Sequence, residues 1–149
     1  MRLPRWVRFF VYGAAAATWL SGVAWLIFHH YVRREGPFGP EAHPLEHGWL
    51  ALHGAAAFLI VWALGLIWMG HVRRGWPGIR NRWNGRSLTV LLIALAASGW
   101  GLYYLGDEQL REALALGHWI LGLLLGLWLP WHVWNGRRST PGAGERVDS

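Results

Sequence analysis

Apolar and polar residues separate along this chain on the scale of whole segments, not single helical turns. Four long apolar stretches, at about 6–28, 48–70, 88–105 and 113–134, are divided by short polar runs. A helix needs about 20 apolar residues to cross a hydrocarbon core, and all four reach or approach that length. The third is the shortest, and Tyr103 and Tyr104 at its end fit an interfacial belt. The pattern predicts an all-α membrane protein: four transmembrane helices in an antiparallel bundle, with 1–138 as a single domain. The remainder, 139–149, reads "STPGAGERVDS" and is expected to be a disordered polar tail.

Composition supports the same class. Of 149 residues, 54% are hydrophobic and 15% charged, and thirteen are tryptophan; a soluble domain would carry roughly 25% charged residues. No cysteine is present, which excludes disulfides, thiolate metal sites, iron–sulfur clusters and covalent c-type haem. The net charge of +6 comes from arginines in short runs between apolar blocks, not from the clustered basic surface of a nucleic-acid binder.

Those runs set an expected orientation. Arg2, Arg5, Arg8, Arg73, Arg74, Arg80, Arg82, Arg86, Arg137 and Arg138 flank one side. Arg33, Arg34 and Arg111 flank the other, mixed with Glu35, Glu41, Glu46, Asp107, Glu108 and Glu112. Both termini are therefore expected on the cytoplasmic side; the resemblance given below implies a bacterial inner membrane. A basic start before an apolar run also describes a signal peptide, but the run is long for one, and an uncleaved first helix is the reading preferred here.

A weak duplication runs through the chain. Ser21-Gly22 in "TWLSGVAWLIFHHY" matches Ser98-Gly99 in "LAASGWGLYYLGD". The second and fourth segments each read His, an apolar stretch, His-Val, two residues, Gly, through His53 and His71 and through His118 and His132. Two copies of a helical hairpin make a four-helix bundle, which holds cofactors between facing helices. The abundant Gly and Ala permit close helix approach.

At about 100° per residue, His53 and His71 are five whole turns apart, and His118 and His132 fall some 40° short of four. Each pair lies on one helix face. Both helices would start on the outer side, so His53 meets His118 at one depth and His71 meets His132 at another. Two facing imidazoles can fill the axial positions of one haem iron, so two depths mean two b-type haems. The spans disagree, however: roughly 27 Å separates the histidines on the second helix and roughly 21 Å those on the fourth. Tilt, or a bend at Pro130, would have to absorb the difference. The inner pair thus rests on weaker ground than the outer one.

Boundary histidines are cheap, because they reach headgroups and water, whereas deep ones are costly and point to function. His29, His30, His43 and His47 are expected to be solvated at the interface, although His29 or His30 could stand in for His53. Arg33, Arg34, Arg73 and Arg74 could pair with haem propionates or serve as headgroup-binding arginines. No carboxylate or arginine lies deep in a span, which argues against ion transport. A non-redox membrane scaffold and a chlorophyll-type pigment-binding subunit stay open beside the haem reading.

With "ASGWGLYYLGDEQLREALALGHWILGLLL" and the closing "HVWNGRR", the chain resembles the bacterial cytochrome b561-like proteins. The resemblance covers all four segments and is strongest from Ser98 to Arg138. The spacing of His118 and His132 is also similar to that in cytochrome b subunits of quinol-oxidising and dehydrogenase complexes. In some of those relatives one ligand lies at the cytoplasmic end of the first helix, where this chain has no histidine. The resemblance implies a di-haem b membrane carrier linking a quinone pool to a redox partner, a periplasmic c-type cytochrome or a dehydrogenase subunit. With no flavin or nucleotide motif, a subunit is expected rather than a complete enzyme.

Overall fold

A computed structural model describes residues 3–76 and 82–138; the expected disordered tail lies outside them. Helix α1 spans Arg5–Tyr31, α2 Pro44–Ile67, α3 Arg82–Tyr104 and α4 Glu108–Arg138. A π-helical turn, Trp68–Val72, and a last helical turn, Arg73–Gly75, extend α2. Among the described residues, four helices are long and apolar enough to cross a membrane.

A short β-hairpin, absent from the sequence reading, joins α1 to α2. Strands β1 (Arg33–Gly36) and β2 (Gly39–Ala42) pair antiparallel around Pro37 and Phe38. Gly39 closes the turn at φ 119°, a conformation that side chains disfavour. Beyond it, His43 caps α2 by accepting the Leu45 amide at Nδ1, and Pro44 supplies the fixed φ of a first helical residue. Asp107 does the same for α4, its carboxylate accepting the Leu110 amide at 2.8 Å.

Each hairpin is packed by contacts that run in opposite chain order. Phe28 meets Trp49, Gly22 meets His53 and Phe10 meets Trp62 between α1 and α2. Gly101 meets Leu114, Ser98 meets His118 and Gly85 meets His132 between α3 and α4. Ala14, Ala15, Ala56 and Ala63 are buried, whereas Trp6, Phe58 and Leu127 are exposed. Small residues inside and large apolar ones outside suit helices whose backbones approach closely and whose outer faces meet lipid.

The two hairpins meet through α1 and α4, where Trp25 and Trp119 lie 6.0 Å apart and the Trp19 indole covers Gly126. A Cβ at Gly126 would overlap that ring. Trp19 therefore sits against α4 between its two histidines, filling the middle of the bundle.

Candidate functional site

All four histidines singled out by spacing face one another in two pairs. The rings of His53 and His118 have centroids 6.2 Å apart at 88°. Those of His71 and His132 also stand 6.2 Å apart at 88°. The first pair lies toward the β-hairpin, the second toward the chain termini.

That separation has a chemical meaning. A metal–imidazole bond of about 2.0 Å, with about 1.1 Å more from nitrogen to ring centre, puts two axial rings about 6.2 Å apart. Among the described residues no group of three or more His, Asp or Glu is arranged to hold a metal ion by protein donors alone. The imidazoles come in twos, which could supply two axial nitrogens to a metal whose other ligands come from a bound macrocycle.

The hairpin-end pair is held from behind. His53 Nδ1 contacts the Thr18 carbonyl at 2.8 Å; a carbonyl only accepts, so Nδ1 carries the proton. Ser98 Oγ lies 3.1 Å from the Leu95 carbonyl and 2.8 Å from His118 Nδ1. His53 thus keeps its Nε2 lone pair free for a metal, the tautomer that such a backing hydrogen bond fixes, and the Ser98 oxygen is placed to accept from His118 Nδ1 in the same tautomer.

The duplicated Ser-Gly pairs explain the fit. Ser21 Oγ donates to the Ala17 carbonyl at 2.6 Å and sits 3.4 Å from His53 Nδ1, as Ser98 sits by His118. A Cβ on Gly22 would come within 2.9 Å of the His53 ring, and one on Gly99 within 3.4 Å of His118. Glycine lets each imidazole lie against the neighbouring helix, and the preceding serine lines its polar edge. The repeat was visible in the sequence; this role was not.

The termini-end pair is built differently. A Cβ on Gly85 would lie 3.5 Å from the His132 ring, whose Nδ1 is buried with no hydrogen-bond partner among the described residues. His71 lies inside the π turn. Each residue of the wider turn advances by less than 100° and rises less, so His71 falls behind five whole turns and closer to His53. Both changes reduce the mismatch with α4, where the helix continues through Pro130. The π turn thus does part of what tilt or a bend at Pro130 was expected to do.

Of the remaining histidines, His30 and His47 are exposed, whereas His29 and His43 make specific polar contacts. His29 Nδ1 pairs with Glu46 Oε1 at 2.6 Å, and its ring stacks on Trp25 at 4.6 Å. His30 meets the edge of Trp119, and His43 caps α2. Glu46 lies two turns before His53 on α2, so His29 belongs to a separate cluster and does not replace His53 opposite His118. Of the arginines considered, Arg33 approaches Glu46 at 4.0 Å, and Arg34 lies in β1 opposite Glu41. Arg73 and Arg74 line a cleft with Met69 and Gly70 beside His71.

Comparison with known proteins leaves these residues to speak for themselves: no family model, no curated protein and no solved structure matches the chain.

Proposed function

We propose that this chain is a b-type membrane electron carrier holding two haems, His53 with His118 at one depth and His71 with His132 at the other. The carrying observation is the repeated pair, with equal ring separations on two helices at two levels. The Thr18 carbonyl and Ser98 hydroxyl behind His53 and His118, and the glycine clefts that admit the rings, support it. A bound haem supplies one-electron Fe(III)/Fe(II) chemistry; the protein supplies axial nitrogens, an apolar setting and a fixed spacing along the membrane normal. About 21 Å separates the two levels along α4.

In this reading the four helices form an antiparallel bundle in a bacterial inner membrane with both termini cytoplasmic, following the arginine distribution. The His53–His118 level is then outer and the His71–His132 level inner. Arg73 and Arg74, near His71 in the chain, could pair with haem propionates, for which guanidinium forks are suited. The sequence motifs point to a relative of the bacterial cytochrome b561-like proteins, passing electrons between a quinone pool and a partner subunit or periplasmic cytochrome. Facing pairs favour a six-coordinate iron over the pigment and scaffold alternatives.

Purified protein, expressed with ample haem, should give a b-type reduced-minus-oxidised spectrum and two haems per chain by pyridine haemochrome. No haem, or an extractable chlorophyll, would overturn the reading. Perpendicular imidazole planes should also give a strongly anisotropic low-spin ferric electron paramagnetic resonance signal.

A further inference from the structure

We infer that Ser98 is a positioning residue for His118, and that its hydrogen bond lowers the reduction potential of the His53–His118 haem alone. The inference rests on the di-haem reading above. Its basis is one short hydrogen bond. With Nε2 on the iron, His118 carries its ring proton on Nδ1, so the Ser98 oxygen 2.8 Å away accepts it, and the serine's own proton is left for the Leu95 carbonyl at 3.1 Å. An acceptor on Nδ1–H fixes the ring and makes Nε2 a stronger donor to a metal. Stronger donation favours Fe(III) over Fe(II), and second-shell hydrogen bonding is one of the means by which a protein sets haem potential.

The effect belongs to one level. Across the same pair, His53 gives its Nδ1 proton to the Thr18 carbonyl, an acceptor that substitution cannot delete. Ser98 is thus the nearer removable acceptor of the hairpin-end site, Ser21 Oγ standing 3.4 Å from His53 Nδ1. At the other level His132 Nδ1 is buried without a hydrogen-bond partner among the described residues. A Cβ on Gly99 would stand 3.4 Å from the His118 ring, so the cleft is set by that glycine and is kept when the hydroxyl is lost.

The test is a spectroscopic redox titration of haem-loaded protein, with the hairpin-end component identified as the one missing in His53→Ala. Ser98→Ala should keep two haems and raise the midpoint of that component, leaving the other unmoved. Ser98→Cys, a weaker acceptor, should give a smaller rise, and Ser98→Thr should restore the original midpoint. The anisotropic ferric signal of the same haem should shift in Ser98→Ala and return in Ser98→Thr. Two retained haems with unchanged midpoints in Ser98→Ala, a common shift of both, or no recovery with threonine would overturn the role of Ser98 while leaving the di-haem reading intact. A wild-type protein without haem would overturn both.

Discussion

The two histidine pairs share one separation and one angle, yet different physics holds each in place. Near the β-hairpin, a backbone carbonyl and a serine fix the rings, and glycines admit them. Near the termini, a π turn places His71, while His132 presents a buried Nδ1 with no hydrogen-bond partner among the described residues. Equal geometry can thus come from side-chain anchoring at one level and from backbone register at the other. The first is local and specific. The second depends on the run of a whole helix.

The largest effect that would break the comparison is removal of a ligand. His53→Ala should leave one haem per chain and His71→Ala should leave one haem at the other level; the double variant should carry none. Haemochrome quantitation with optical spectra checks the count. If both single variants lost both haems, the levels would not be independent sites.

A smaller, more discriminating effect comes from the glycines. Gly22→Ala puts a methyl group 2.9 Å from a ring already tied to Thr18, so the imidazole cannot yield without losing its hydrogen bond. Crowding of this kind costs about 1–3 kcal/mol. Gly85→Ala meets His132 at 3.5 Å, an ordinary contact beside a ring with no such tie. Gly22→Ala should lower occupancy of the hairpin-end haem several-fold, while Gly85→Ala should keep both haems. Equal losses would show that the two levels are equally constrained.

How much of this was legible in the sequence follows the same division. The pairing of His53 with His118 and of His71 with His132 came from helical arithmetic and chain direction, because spacing within a helix fixes face and depth. Ser21-Gly22 and Ser98-Gly99 were visible as a repeat. Their task depends on how α1 turns toward α2 and α3 toward α4, and sequence period does not specify that rotation. The π turn at 68–72 has no signature in "WMGHV", since a wide turn is selected by packing and register. The β-hairpin was missed because "RREGPFGPEA" lacks the apolar alternation that marks a strand. Its pairing rests on backbone bonds around a proline–phenylalanine turn.

The smallest expected effect tests whether packing behind the termini-end pair matters at all. Asn84 Oδ1 accepts from Trp128 Nε1 at 2.8 Å, joining α3 to α4 one residue before Gly85. Side-chain hydrogen bonds between membrane helices contribute about 0.6 kcal/mol on average, because the unfolded chain in lipid also finds partners. Asn84→Ala should therefore lower the thermal midpoint in detergent by on the order of 1–2 °C and leave both haems bound. Deletion of one such bond cannot turn α3 far enough to move Gly85 off His132. A selective loss of the termini-end haem in Asn84→Ala would show instead that this side-chain bond, and not the π turn alone, sets the register there. The two levels would then be anchored by the same kind of interaction.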